Sequence, residues 1–341
     1  MKRVARDSSP EFPEVQSAGG PPVATVGTFD GVHLGHRRVL ETVMARAAES
    51  GGPSVAVTFD RHPLALLAPW QAPDLLTSLN HKLLLMENVG VDAALVLEFD
   101  RELAELTAAE FLRKVVAGGA GGGESGGGIG AAALVLGEGA RLGSDQAGGD
   151  ELAGAAAALG IEVEWVEPVV LGDGDERVKV SSTEVRRCIL ENDLECASRL
   201  LGRPVTVLGE VVRGLRRGRE LGFRTANLDL RREVRPPTGI YATWASLGEG
   251  WVASVSNVGP SPDQIERYGE ESEAARVVEV HMFEFDGDLY GRPMEVAFCG
   301  RLRDERKFES DDALSEQIAR DVERARELLA ASRPPGEEIL A

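Results

Sequence analysis

Cysteine is scarce: Cys188, Cys196 and Cys299 are the only 3 in 341 residues. They are odd in number, irregularly spaced and never CxxC, so neither a disulfide framework nor a thiolate zinc site is suggested. Long apolar runs are missing as well. No segment approaches the ~18 consecutive apolar residues of a membrane span, and no early run suits a signal peptide. The expected compartment is the cytoplasm, with no membrane partner. Basic residues are the minority charge, 37 Lys plus Arg against 56 Asp plus Glu, for a net −19. Sequence-independent nucleic-acid binding rests on neutralising phosphates, so nucleic acid is not an expected partner. GxxxxGK[ST] occurs nowhere, which excludes a P-loop enzyme.

What is present is an ordinary globular composition, 43% apolar and 27% charged, with length for two domains. Nothing in it speaks to oligomeric state. Residues 1–20 are polar and broken by Pro and Gly, and are expected to form a disordered leader. From Val23 to about Val170, short apolar runs ("PVATVG", "SVAVTF", "DAALVLEF", "AAALVLGEG", "IEVEWVEP") alternate with helical patterns such as "HRRVLETVMARAAES" and "LNHKLLLMENVG". That alternation predicts a parallel sheet with helices on both faces. "GGAGGGESGGGIG" (118–130) is a low-complexity insertion, and its formal GxGxxG at Gly121, Gly123 and Gly126 has no strand leading into it.

After the helical "VSSTEVRRCILENDLECASRLLG" the texture changes. Short apolar segments split by Gly and Pro run from Pro204 to about Leu302, as expected of antiparallel strands in a small barrel. An amphipathic helix with Leu314, Ile318, Val322 and Leu329 on one stripe follows. The predicted division is 21–202, 203–335 and a short tail, 336–341. Residues 203–232 hold eight arginines against Glu210, Glu220 and Asp229, a local excess of +5 in an acidic chain. A local anion site and a solvated turn both fit that charge.

The chemistry concentrates in "VATVGTFDGVHLGHRRVL" (23–40), which carries His33 and His36, two of the chain's 5 histidines. HxxH at a glycine turn is a weak zinc pattern, and the other histidines form no matching cluster. Phosphate suits it better. A strand entering a glycine turn and a helix start presents backbone N–H groups and a helix dipole to an anion. A tight turn with two surface histidines is the structural alternative.

"GTFDGVHLGH" (27–36) is similar to the ATP-binding segment of the HxGH nucleotidyltransferases, and in this longer form resembles the adenylyltransferase half of bacterial bifunctional riboflavin kinase/FAD synthetases. "VTFDRHP" (57–63) and "VSSTEVRR" (180–187) stand where that family has its second and last nucleotide motifs. The resemblance implies that Gly27, Phe29, Asp30, Gly31, His33, Gly35, His36, His62, Ser182, Thr183 and Arg186 bind nucleotide. His33, His36 and Arg186 would be the catalytic groups of adenylyl transfer from ATP to FMN. His62 reads equally well as a turn histidine, and Ser181 with Glu184 reads as a capping box compatible with phosphate binding.

"GEVVRGLRRGRELGFRTANLDL" (209–230) resembles the riboflavin kinase signature. By that resemblance Gly214 and Gly218 close a loop over ATP phosphates, and Thr225 and Asn227 hold Mg²⁺ through neutral oxygens, as a hard cation allows. "VVEVHMFEFDGDLYGRPMEVAF" (277–298) puts Glu279 at the family's general-base position, whereas alternation alone makes it one polar residue in a strand. The implied fold is a Rossmann-like nucleotidyltransferase domain, then a small antiparallel β-barrel kinase domain with a C-terminal helix. Riboflavin, FMN and ATP are the implied substrates, with FMN and FAD as products.

Several positions depart from the family pattern. In "GEGARLG" (137–143) Gly139 replaces a polar side chain, and Ala140 and Leu142 replace aromatics. Arg224 replaces the signature proline, and Asp263 a threonine. At this point a riboflavin kinase with a degenerate first domain, or a non-catalytic flavin-binding regulator, stays open beside the bifunctional enzyme.

Overall fold

The computed structural model describes residues 2–5, 19–117, 128–174, 177–213, 223, 225–230, 233–260, 276–285, 287–332 and 334–336. The Gly-rich insertion from 118 to 127, Gly214, Gly218, Arg224, Asp263 and most of the tail lie outside the described residues. The chain divides into two compact units, Met1–Pro73 with Leu79–Ser181, and Asp74–Ser78 with Ser182–Ala341.

In the first unit the order is β1 (Lys2–Ala5), β2 (Val23–Val26), α1 (Leu34–Ser50), β3 (Ser54–Phe59), α2 (Pro63–Leu67), α3 (Leu79–Val89), β4 (Ala93–Leu97), α4 (Arg101–Glu105), α5 (Ala108–Phe111), β5 (Ala133–Gly137), α6 (Gly149–Ala157), β6 (Glu162–Val166), β7 (Val170–Leu171) and β8 (Val178–Lys179). Six strands form one parallel sheet in the order β1-β4-β3-β2-β5-β6. β2, β4 and most of β3 and β5 are buried along their length, because helices cover both faces and continuous Val/Leu/Ala runs are what such strands need. Within the leader expected to be disordered, residues 2–5 instead pair in parallel with β4 as the edge strand.

The sheet topology locates the ligand end. β2, β3 and β4 step outward in one direction, while β5 and β6 lie on the other side of β2. Strand order therefore reverses between β2 and β5, and open α/β sheets bind ligands beyond the carboxyl ends of strands at such a point. The chain leaving β2 there is Gly27–His36, and the chain leaving β5 is "GEGARLG".

The second unit begins with α7 (Ser182–Leu190) and α8 (Leu194–Leu201). A tight turn at Asn192, φ 61°, folds α8 back on α7, and Asp193 caps α8 by accepting from Cys196 N at 2.9 Å. Cys188 and Cys196 thereby come to a Cα–Cα distance of 5.9 Å and form a disulfide, which their sequence spacing did not suggest. Then follow β9 (Val205–Val212), β10 (Ala226–Asp229), β11 (Gly239–Ser246), β12 (Trp251–Pro260), β13 (Arg276–Met282), β14 (Pro293–Arg303) and α9 (Asp311–Ala330). The six strands close a barrel in the order β10-β13-β12-β11-β14-β9, with every pair antiparallel.

The segment Asp74–Ser78 joins this unit through buried Glu233, whose carboxylate accepts from Ser78 N at 2.6 Å and Leu208 N at 3.0 Å. α9 covers the outer face of β11, β12 and β14 with Ala325 and Leu329 against Ile240, Val255 and Leu302. Its buried Asp321 takes a forked bond from Arg303, at 3.0 Å from Nε and 2.7 Å from the terminal nitrogen. Removing one partner of a buried pair strands the other charge, so Asp321→Ala is expected to cost about 3–5 kcal/mol. Chemical denaturation checks this; an unchanged midpoint would mean the pair does not hold α9.

Candidate active sites

The first site grows from the end of β2. Phe29 (φ 50°), Gly31 (φ 84°) and Val32 (φ 39°) all take positive φ, a costly backbone for Phe and Val that persists only where its surroundings over-determine it. Val32 N closes the turn on Phe29 O at 3.2 Å. His33 then caps α1: its Nδ1 accepts from His36 N at 3.2 Å. That bond places the proton of neutral His33 on Nε2. The two imidazoles stack, centroids 3.7 Å apart and planes within 14°, and the Phe29 ring meets His36 edge-on at 5.3 Å.

Gly35 suits this stacking, because a Cβ there would lie 3.2 Å from the His33 ring and push it by a few tenths of an ångström. Burial first, then the His33 and Lys82 charges, push the His36 pKa well below the usual imidazole value. His36 is therefore a neutral group near pH 7, and its buried Nδ1 has no hydrogen-bond partner among the described residues. A neutral imidazole beside a helix N-terminus donates to phosphate oxygens without carrying a buried charge.

His62, just beyond β3, accepts from Leu64 N through Nδ1 at 3.2 Å and caps α2. Gly139 has φ 86° with open space around it, while Ala140 and Leu142 pack on the main apolar cluster of the sheet. Ser182, Thr183 and Arg186 open α7 in the second unit. Arg186 donates to Asp74 O at 2.8 Å and to Ser182 O at 3.3 Å.

The second site lies on the barrel wall. Asn227 on β10 stands opposite Glu279 on β13, which in turn stands opposite Asn257 on β12. Directly opposed residues on paired strands share a face. The alternate positions Leu228, Val258, Val278 and Val280 are buried, so Asn227, Glu279 and Asn257 form one polar row on the other side. Thr225, two residues before Asn227 and just ahead of β10, is exposed.

Burial, followed by the nearby Glu305 carboxylate, raises the Glu279 pKa above the ordinary carboxyl value, which makes it a better proton acceptor. Glu305 also hugs Gly259, where an added Cβ would come within 3.0 Å of its Oε2. Asn257 was not singled out from sequence, yet its Oδ1 is buried with no hydrogen-bond partner among the described residues. Among the described residues no group of three or more His, Cys, Asp or Glu is arranged to hold a metal ion. The hydroxyl and amide oxygens of Thr225 and Asn227 fit a hard cation whose remaining charge is met by phosphates.

The two units match two different family models, FAD synthetase over residues 16–184 and riboflavin kinase over residues 201–329. The bifunctional riboflavin kinase/FMN adenylyltransferase of Pseudomonas fluorescens is 37% identical over 91% of this chain and 94% of its own. The chain belongs to the bifunctional riboflavin kinase/FMN adenylyltransferase family. The Escherichia coli K12 member is 34% identical over 92% of this chain and 94% of its own, and the Bacillus subtilis member 32% over 89% and 91%. A solved structure described as a macrolide-efflux protein of Streptococcus pneumoniae superposes with a TM-score of 0.74 at 27% identity, covering 96% of this chain and 99% of that one. Among the described residues no helix is long and apolar enough to cross a membrane. As a family member the chain carries the α/β unit first and the closed barrel with its C-terminal helix second, the fold that the paired motifs imply.

Proposed function

We propose that this chain makes both flavin cofactors in the cytoplasm: riboflavin plus ATP gives FMN and ADP, and FMN plus ATP gives FAD and pyrophosphate. Residues 21–202 carry the adenylyl transfer and 203–335 the phosphorylation. In the barrel, Glu279 accepts the proton of the riboflavin 5′-hydroxyl as that oxygen attacks the γ-phosphate of ATP. Thr225 and Asn227 would hold Mg²⁺ through their neutral oxygens, and the ion would supply charge relief on the phosphates. Gly214 and Gly218 are assigned to the loop over those phosphates. Asn257 extends the row beyond Glu279 and orients the carboxylate or the substrate hydroxyl with its amide.

In the α/β unit an FMN phosphate oxygen attacks the α-phosphate of ATP and pyrophosphate leaves. Such transfers need in-line positioning and charge stabilisation, with little covalent work by the protein. The turn from Gly27 through Phe29, Asp30, Gly31 and Gly35 carries the backbone donors, and His33 and His36 the imidazole donors. His62, Ser182, Thr183 and Arg186 are assigned to the family's remaining nucleotide segments. No nucleic acid takes part.

The observation that carries this reading is the pairing: a strained imidazole turn at a strand-order reversal in one unit, and an in-register Asn–Glu–Asn row in the other. Relatives matched across both halves and named for both activities support two reactions over a kinase alone or a binding protein. Chromatography of flavins after incubation with riboflavin, ATP and Mg²⁺ is expected to resolve FMN first and then FAD. FMN without FAD, even when FMN is supplied, would mean a kinase only; binding without turnover would mean a regulator.

A further inference from the structure

α3 presents Leu83 and Met86 to the core, and Lys82 lies among them, only 7% exposed. Its ammonium has three N–H groups and reaches three acceptors: Thr28 O at 2.8 Å, Thr58 Oγ1 at 2.9 Å and Phe59 O at 3.2 Å. Thr28 is the last residue before the positive-φ turn, and Thr58 and Phe59 end β3. The fully buried Thr58 hydroxyl also donates to Thr28 O at 3.4 Å. One side chain thus ties the carboxyl ends of two neighbouring strands together directly beneath the imidazole turn. Asp30, buried within that turn, and Asp60, at the end of β3, are its counter-charges.

We propose that Lys82 is a positioning residue for adenylyl transfer, the anchor that keeps the Thr28–Val32 turn in its strained shape so that His33 and His36 meet ATP. This rests on the reading of that turn as the ATP site. Left-handed Phe29 and Val32 would relax toward ordinary backbone angles if the carbonyl before them were released. Apolar packing does not replace the anchor, since the half-buried Thr28 and Phe59 carbonyls and the buried Asp30 carboxylate would be left without their cation.

The groups facing Lys82 are Asp30 from the turn, Asp60 from the end of β3 and His36 from α1. Burial outweighs the two carboxylates and brings its pKa down to about 8. Below that pH the anchor is charged; above it the ionic hold on Asp30 is lost.

Two measurements test the proposal. In the unmodified enzyme, kcat/KM for ATP in FMN adenylylation is expected to fall as pH rises through about 8, while riboflavin phosphorylation by the barrel shows no such limb. In Lys82→Gln, which keeps two N–H donors without the charge, kcat/KM for ATP in adenylylation is expected to drop on the order of 10²-fold and to lose the limb. Riboflavin phosphorylation reports that the variant is folded. Adenylylation level to pH 9.5 in the unmodified enzyme, or a Lys82→Gln profile matching it, overturns the assignment. His36→Ala separates the two failures: if it too leaves FAD formation intact, the turn is not the ATP site; if it stops FAD while Lys82→Gln does not, only the anchor is wrong.

Discussion

Glu279→Gln is expected to lower FMN formation on the order of 10³-fold, the scale of a lost general base, with riboflavin and ATP binding retained. Glutamine keeps the size and polarity of the side chain but cannot take the 5′-hydroxyl proton. The carboxylate is suited to the task because burial and Glu305 raise its pKa, bringing its basicity closer to the pH at which it works. Asn227 and Asn257 flank it in register on adjacent strands, so the variant changes one group in a preformed row. Supplied FMN should still be converted to FAD at the ordinary rate. Rapid-quench measurement of FMN formation, with riboflavin binding followed by flavin fluorescence, separates chemistry from binding. A kcat within a few-fold of the unmodified enzyme would move the base elsewhere.

The corresponding loss in the other unit is expected from His36→Ala: FAD formation falls by about 10²–10³-fold, the range for removing one preorganised donor to a charged transition state, and FMN accumulates. Alanine also removes the ring that stacks at 3.7 Å on His33, so His33 loses its partner even though it keeps its own cap. Because burial, His33 and Lys82 hold the His36 pKa well below the usual imidazole value, its ring stays neutral in mild acid. Adenylyl transfer is therefore expected to stay level from about pH 7.5 down to about pH 6, without the inflection of an ordinary histidine. An acid limb centred near 6.5, absent from His36→Ala, would show that His36 works as a cation instead.

Much of this architecture is legible in the residues. The runs "SVAVTF" and "DAALVLEF" are apolar on both faces, and only a strand covered on both sides tolerates that. The stripe of Val39, Val43 and Ala47 gives α1, because its period of 3.6 has one reading. The imidazole turn and Glu279 came from resemblance, and their surroundings did not. Asn257 is one polar residue in an alternating strand, and its place beside Glu279 depends on barrel closure, a long-range pairing that local pattern does not encode. The same holds for Asp74–Ser78, tied to the second unit by Glu233 from far along the chain, and for Arg303 with Asp321.

Lys82 did leave a local signal. It occupies the position that helical periodicity reserves for the core, between Leu79 and Met86. A cation on a buried stripe requires buried acceptors, and the ends of β2 and β3 provide them. The Cys188–Cys196 disulfide depended on a turn at Asn192 that folds two helices together, and spacing alone carries no record of it.

Two separate pockets, each completing its own phosphate transfer, are tested most directly by mixing defects. His36→Ala alone, given riboflavin, ATP and Mg²⁺, should stop at FMN, and Asn227→Ala alone should leave riboflavin unchanged. An equimolar mixture should carry riboflavin through to FAD, since FMN released by one molecule is taken up by the other. No FAD from the mixture, with each variant retaining its remaining activity when assayed singly, would contradict two independent sites.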